Sequence, residues 1–168
     1  MNLREYQTAS RATAIYPRDR ALEYCVLGLI SEVGELAGKL KKSIRDGTPE
    51  DVLREQILDE LGDCLWYCAQ IATEKDAKIL AGPPASTGLR SLVAPRIATL
   101  GSLSGVLGCN IAHWSSLTIA GELPRLVHQI AYIATAFGSS LESVLDRNIA
   151  KLASRQRRGV LQGEGDGR

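Results

Sequence analysis

Aromatic side chains are scarce in this sequence, at 5% of 168 residues, with one phenylalanine and two tryptophans. Hydrophobic residues nevertheless make up 45% of the chain, and Ala and Leu are prominent among them. This combination favours packed helices over a β-sandwich. The length suits one domain, or one domain built from two similar halves.

The chain also lacks an excess of either charge and a long apolar run, and no leader sequence is expected at its start. Its formal net charge is +1, so no global field favours binding to nucleic acid. No run of about 18 or more apolar residues is present, so no membrane span is expected. The opening residues, M-N-L-R-E, do not have the pattern of a signal peptide. A cytoplasmic location is therefore the default expectation.

The cysteines form no C-x-x-C pair. All four lie in apolar, helical stretches: Cys25, Cys64, Cys68 and Cys109. They are interpreted as reduced, buried small side chains. A zinc site that recruits His113 or His128 is disfavoured, because no ligand spacing supports it.

Two short acidic motifs stand out against this background. Glu32 and Glu35 lie three residues apart in the first, and Glu60 and Asp63 have the same spacing in the second. On a helix, a step of three residues leaves two side chains about 60° apart around the axis. Each pair therefore projects from one face, and four carboxylates converge if the two helices pack antiparallel.

A divalent cation is the expected occupant of such a cluster. Four carboxylates in one place repel one another, and sharing a site raises some of their pKa values. A hard cation removes this cost, and all-oxygen ligands suit Mg²⁺ or Mn²⁺. The predicted metal ligands are Glu32, Glu35, Glu60 and Asp63.

At these residues the sequence resembles the all-α nucleoside triphosphate pyrophosphohydrolases of the MazG-like group. The signature of that family is E-x-x-E followed, after a variable gap, by E-x-x-D. The flanking stretches E-L-A-G-K-L-K-K after the first motif and L-W-Y after the second also fit. Near the end of the chain, N-x-x-K-L-x-x-R matches a further family motif through Asn148, Lys151 and Arg155. The resemblance implies an all-α helical bundle.

The resemblance also implies a reaction. It is the Mg²⁺-dependent hydrolysis of a nucleoside triphosphate to a monophosphate and pyrophosphate, which serves nucleotide-pool housecleaning. Water would attack the α-phosphorus, with Glu35 and Glu32 as the candidate catalytic carboxylates. The candidates for contact with the substrate are Lys39, Lys42, Trp66, Asn148, Lys151 and Arg155. Tyr67 is a further candidate for base contact, although a core role for Trp66 or Tyr67 stays open.

Two family features remain open for this chain. Many relatives carry another acid directly before the first signature glutamate, where this sequence has Ser31. The general base and the number of metal ions are therefore unassigned. A homodimer is expected because the family usually pairs helices between chains, yet an extra half permits a monomer.

Hydrophobic periodicity predicts a single domain over residues 1–156. In chain order we expect a short helix at 2–14, an acidic helix pair at 19–73, a linker at 74–94, a degenerate helix pair at 95–138, a last helix at 139–155 and a flexible tail at 157–168. In the second pair, helices are predicted at 95–117 and 122–137, with Pro124 in the first turn of the latter. Ser139 and Glu142 are predicted to form the capping box of the last helix.

The second pair is interpreted as a worn copy of the first. Residues 27–33 can be aligned with residues 100–106, which places Gly105 and Gly108 at the positions of Glu32 and Glu35. Such a copy keeps the packing residues and loses the metal ligands. It would let one chain complete a four-helix bundle by itself.

Two other classes of function are considered. One is a non-enzymatic helical interaction or regulatory module, whose acidic residues form a vestigial metal site or ordinary surface charge. The other is a carboxylate di-iron bundle, but those sites use Glu-x-x-His pairs. Since the sequence has no such pair, the di-iron class is disfavoured.

Overall fold

Helices account for the regular structure of the chain in the computed structural model, which describes residues 1–82 and 87–161. The helices are α1 (Leu3–Ser10), α2 (Ala21–Asp46), α3 (Glu50–Glu74), α4 (Val93–Asn110), α5 (Ser116–Ala136) and α6 (Leu141–Arg157). No strand occurs within the described ranges, and the predicted all-α class is confirmed.

Helices α2 and α3 form the long antiparallel hairpin at the centre of the molecule. The buried side chains of α2 recur every three or four residues, as in Leu29, Val33 and Leu36, and give the helix one apolar face. The helix ends at Gly47, whose φ of 64° is a left-handed conformation that glycine adopts without strain. Only residues 47–49 separate the two helices, so α3 returns directly along α2.

Helices α4 and α5 complete a four-helix bundle with this hairpin. The pairs in contact are α2 with α3, α2 with α4, α4 with α5, and α3 with α5. Gly108 permits the close approach of α4, since a Cβ there would lie 3.0 Å from Val26. The extra helix pair thus packs within one chain, an arrangement that the sequence permits, while its origin by duplication stays a prediction.

The boundaries of α4 and α5 differ from the predicted ones. Helix α4 ends at Asn110 instead of residue 117, and the His113 amide donates to the Asn110 carbonyl in the turn that follows. Ser115 caps α5, its hydroxyl accepting a hydrogen bond from the Thr118 amide at 3.2 Å, so α5 begins six residues earlier than expected. The prediction that Pro124 lies in the first turn is therefore wrong, because this residue is inside the helix.

The start of α6 also differs from the predicted one. Ser140, rather than Ser139, is the N-cap, and its hydroxyl accepts from the Ser143 amide at 3.1 Å. The Ser139 amide instead donates to the Ala134 carbonyl at the end of α5. The predicted capping box of Ser139 and Glu142 is wrong, because Ser139 is used to close the preceding helix.

The described residues at Gly82 and Gly88, in the connection between α3 and α4, lie against α5. A Cβ at Gly82 would lie 2.6 Å from the Pro124 carbonyl oxygen, and one at Gly88 would lie 2.4 Å from the Tyr132 carbonyl oxygen. Glycine at these two positions lets the chain touch the α5 backbone. The rest of the predicted glycine- and proline-rich linker, residues 83–86, and most of the predicted tail, residues 162–168, lie outside the described residues.

Helix α4 is apolar but only partly covered. The segment Arg90–Asn110 is long and apolar enough to cross a membrane by length and composition, and only 28% of its apolar stretch is buried. Its covered side packs on α2 and α5. Val106 is exposed on the other side, and so is Cys109, contrary to its predicted burial. The other three cysteines are buried, as predicted.

Candidate active site

Three acidic side chains meet between α2 and α3. Glu32 on α2 and Glu60 and Asp63 on α3 each offer a carboxylate oxygen, and these oxygens lie within 4.8 Å of one another. The three-residue spacing on α3 aims Glu60 and Asp63 at the same side, where the antiparallel α2 presents Glu32. We call these three residues the acidic cluster. Glu60 is only 4% exposed, whereas Glu32 and Asp63 are partly exposed.

Glu35, the fourth predicted ligand, is not part of the acidic cluster. It lies about one turn after Glu32 on α2 and is exposed. Its charge is nevertheless close enough to raise the pKa of Glu32. The structure therefore brings together three of the four predicted ligands and leaves Glu35 at the edge.

The Glu32 carboxyl favours its protonated form. Burial raises its pKa to about 8, with further increases from the charges of Asp63, Glu35 and Glu60 and from a hydrogen bond with Glu60. A cation among these groups would reverse the balance, because it stabilises the ionised carboxylates.

Two lysines contact the acidic cluster directly. The Lys39 ammonium lies 3.5 Å from Glu60 Oε1, and the Lys151 ammonium lies 2.6 Å from Asp63 Oδ2. Both lysines are candidates for phosphate contact in the sequence, and in this structure both neutralise carboxylates instead. Lys42, the third such lysine, is exposed on α2.

A buried hydrogen-bond chain fixes the orientation of Asp63. The Tyr6 hydroxyl donates to Asn148 Oδ1 at 2.7 Å, and Asn148 Nδ2 donates to Asp63 Oδ1 at 2.9 Å. Asn148 is 2% exposed, so it lies behind the acidic cluster rather than at an open surface. Its amide holds Asp63 in position, and its predicted contact with the substrate stays a prediction.

Helix α6 reaches Asp63 because glycine faces it on α3. A Cβ at Gly62 would lie 2.9 Å from both Cβ and Nδ2 of Asn148. Asp59 lies one turn before Asp63 on α3 and accepts a hydrogen bond from Arg147 at 2.8 Å. Arg147 also donates to Glu55, and the two contacts fix α6 along the same side of α3.

A cavity of about 360 Å³ opens beside the acidic cluster. Its lining includes two of the acids, one arginine and four aromatic rings: Glu32, Asp63, Arg155, Tyr16, Tyr24, Trp66 and Tyr67. The rings of Tyr16 and Tyr24 stack with centroids 5.3 Å apart. The Trp66 indole donates to the Thr13 hydroxyl at 2.9 Å, which ties this wall to the segment after α1.

The aromatic wall follows from the same helix periodicity that builds the acidic cluster. Tyr24, Gly28 and Glu32 lie at four-residue steps on one side of α2. A Cβ at Gly28 would lie 2.2 Å from the Tyr67 ring, so this ring rests directly on the α2 backbone. Sequence reasoning identified Trp66 and Tyr67 but missed Tyr16 and Tyr24. The signal for Tyr24 is its spacing, because it lies eight residues, or about two helical turns, before Glu32 on the same side of α2.

The fold and site define an all-α protein in which a cluster of three carboxylates, suited to a cation, lies beside a cavity lined by aromatic rings. A profile of the MazG nucleotide pyrophosphohydrolase domain matches residues 20–81, which include α2 and α3 with the whole acidic cluster. The chain belongs to this MazG nucleotide pyrophosphohydrolase family, and the predicted resemblance is confirmed.

The comparisons also match a phage protein. Gene 37 protein of Mycobacterium phage L5 is 40% identical over 84 residues, which cover 45% of this chain and 74% of that protein. No solved structure matches the chain. The family match ends before α4, so it covers the acidic hairpin and leaves the second helix pair and α6 outside.

Proposed function

We propose that this protein hydrolyses nucleoside triphosphates to nucleoside monophosphate and pyrophosphate with the help of a divalent cation. The observation that carries the proposal is the acidic cluster opening onto an aromatic-lined cavity. The acids suit a divalent cation, which would in turn bind the phosphates, and the rings suit a nucleobase. A cytoplasmic location, where free nucleotides are present, is part of the same proposal.

The residues of the acidic cluster fit a hard divalent cation. All donors are carboxylate oxygens, the donor type that Mg²⁺ and Mn²⁺ prefer, and all lie within 4.8 Å of one another. Their charges repel, and this repulsion contributes to the raised pKa of Glu32. We propose Mg²⁺ as the natural ion, with Mn²⁺ as a substitute.

The roles of the residues follow from their positions. A bound cation supplies positive charge to the phosphate oxygens and makes water more acidic. Glu35 lies outside the acidic cluster, so its carboxylate is free to accept the proton of the attacking water, with Glu32 as the other candidate. Arg155 lines the cavity and, with Lys42, is proposed to bind phosphate. Trp66 is proposed to contact the base.

A nucleotide panel tests the proposal. Purified protein is incubated with Mg²⁺ and each of the common ribo- and deoxyribonucleoside triphosphates, including dUTP, and pyrophosphate is measured. We expect pyrophosphate from at least one nucleotide, and none after EDTA is added. Absence of turnover with every nucleotide would instead favour the non-enzymatic interaction module.

Loss of the exposed aromatic ring at the cavity should weaken nucleotide binding. Tyr24→Ala removes a stacking partner of Tyr16 at the cavity wall. We expect KM to rise about tenfold with kcat little changed, because base stacking is worth about 1–3 kcal/mol. The matched control is Ile44→Ala, an exposed apolar residue near the other end of α2. An equal KM for both variants contradicts a base site at Tyr24.

Binding of the cation should release a proton. With a pKa of about 8, Glu32 is mostly protonated at pH 7, and ligation requires the ionised form. Calorimetry with Mg²⁺ in buffers of different ionisation enthalpy should show about one proton released at pH 7 and less at pH 9. The Glu32→Gln variant should release none, and the same release in this variant contradicts the assignment.

The raised pKa of Glu32 predicts that pH has opposite effects on the stability of the cation-free protein and on its stabilisation by Mg²⁺. Without cation, Glu32 binds a proton in the folded state that the unfolded chain releases above its ordinary pKa of 4.5. The stability of this form should therefore fall as the pH rises from about 4.5 to about 8. The stabilisation by Mg²⁺, measured as a shift in Tm, should grow over the same range.

The expected homodimer is also kept as a proposal. Leu27 and Ile30 on α2 and Val106 on α4 are exposed apolar residues, and Ile30 lies beside Gly108 of α4. A second copy of this chain would cover them. Sedimentation should then show a dimer for the wild-type protein and a monomer for Ile30→Glu, with Ile44→Glu as the control. A wild-type monomer contradicts the proposal.

A further inference from the structure

Both carboxylate oxygens of Asp63 already have partners within the chain. Oδ1 accepts from Asn148 at 2.9 Å, and Oδ2 accepts from Lys151 at 2.6 Å. In the acidic cluster, Lys39 also lies 3.5 Å from Glu60. A cation that binds the Asp63 oxygens must therefore compete with one of these partners.

The two partners of Asp63 differ in how easily they can leave. Asn148 is buried, receives a hydrogen bond from Tyr6 and is in close contact with the Gly62 backbone, so it has no room to move. The Lys151 ammonium stands at the end of a flexible four-carbon stem that is 21% exposed. Lys151 is the partner that can withdraw without disturbing the core.

Withdrawal would bring Lys151 toward the cavity that we assign to the nucleotide. Arg155 lies one turn further along α6 and lines this cavity. A short movement of the Lys151 ammonium along the helix therefore places it beside the Arg155 guanidinium, at the edge of the proposed phosphate site.

We propose that the Lys151 ammonium leaves Asp63 when a divalent cation binds to the acidic cluster, and that it then contacts the triphosphate. Lys39 leaves Glu60 in the same exchange. This inference rests on the proposed function. It predicts that the divalent cation alone binds weakly, because it must displace an ammonium group. A triphosphate strengthens cation binding, because its oxygens give the displaced lysine a new partner.

The test is the affinity for Mn²⁺, measured by electron paramagnetic resonance without nucleotide and then with a triphosphate whose α–β bridging oxygen is replaced by methylene. For Lys151→Met we expect the Kd for Mn²⁺ alone to fall about tenfold, since a competing charge is gone. The gain in Mn²⁺ affinity that the analogue gives the wild-type protein should shrink. Lys151→Arg keeps the charge and should behave like the wild type.

Lys41→Met is the matched control, because Lys41 is an exposed lysine of α2 only two residues after Lys39. Unchanged or weaker Mn²⁺ binding by Lys151→Met would overturn the inference. If this variant does not fold, Lys39→Met provides the same test at Glu60, with the same expected and overturning results.

Failure of this inference can be distinguished from failure of the proposed function. If Asp63→Asn binds Mn²⁺ as tightly as the wild type, the acidic cluster is not the cation site and both proposals fail. If Asp63→Asn loses Mn²⁺ while both lysine-to-methionine variants match the wild type, only the exchange of lysine for metal is contradicted.

Discussion

Replacing Asp63 with asparagine is expected to lower kcat/KM for pyrophosphate release by a factor on the order of 10²–10³. The amide has nearly the same shape as the carboxylate but lacks its charge, and it binds a hard cation poorly. The hydrogen bond from the buried Asn148 holds this side chain at the edge of the cavity. The measurement is steady-state kinetics at saturating Mg²⁺.

The control for this prediction is Asp51→Asn. Asp51 is an exposed acid in the first turn of the same helix, well before the acidic cluster, and its loss should leave kcat/KM unchanged. Circular dichroism establishes that both variants are folded. Near-wild-type turnover by folded Asp63→Asn would contradict the catalytic role of the cluster.

Replacing Gly62 with alanine is expected to destabilise the protein by about 1–3 kcal/mol. The added Cβ would lie 2.9 Å from Asn148, a buried residue on a helix that Arg147 ties to α3, so the contact is relieved only by moving α6. That movement also separates Asn148 from Asp63. We therefore expect a fall in activity alongside the loss in free energy of unfolding, which urea denaturation measures.

Gly121→Ala provides a control of opposite sign. Gly121 lies inside α5, and a Cβ there meets no atom within 4 Å. Alanine should stabilise this helix by up to about 1 kcal/mol, the usual difference in helix propensity. If the two substitutions shift the free energy of unfolding in the same direction, the close approach of α6 at Gly62 is not what the structure indicates.

Helix periodicity, combined with antiparallel packing of α2 and α3, predicts where the acidic cluster forms. The apolar stripes of α2 and α3 fix which sides of these helices meet, and Glu32, Glu60 and Asp63 border those stripes. Their convergence is therefore encoded in short-range spacing. Glu35 has the same spacing from Glu32, but the angular step carries it onto the exposed side, and spacing alone does not decide this.

The role of Asn148 shows what periodicity cannot supply. Asn148, Lys151 and Arg155 share one side of α6, and the sequence suggested that all three face a substrate. In the structure this side is divided, with Asn148 buried against Gly62 and Arg155 at the cavity. The division depends on how closely α6 approaches α3, which is a tertiary contact between distant parts of the chain.

The aromatic cavity was harder to predict for a similar reason. Tyr16 lies just before a proline, in a segment without helical periodicity, and its hydroxyl donates to Glu74 at 2.7 Å across the fold. Tyr24 is on a helix but is 45% exposed, so no core pattern marks it. A short 3-10 helix, Arg18–Arg20, lies between them and lets the two rings stack.

Hydrolysis in ¹⁸O-labelled water tests the central claim most directly. The products of a triphosphate that the panel identifies as a substrate are separated and weighed by mass spectrometry after turnover with Mg²⁺. Attack at the α-phosphorus beside the acidic cluster predicts one heavy oxygen in the nucleoside monophosphate and none in pyrophosphate. Heavy oxygen in pyrophosphate would contradict the account. So would release of nucleoside diphosphate and inorganic phosphate in place of monophosphate and pyrophosphate.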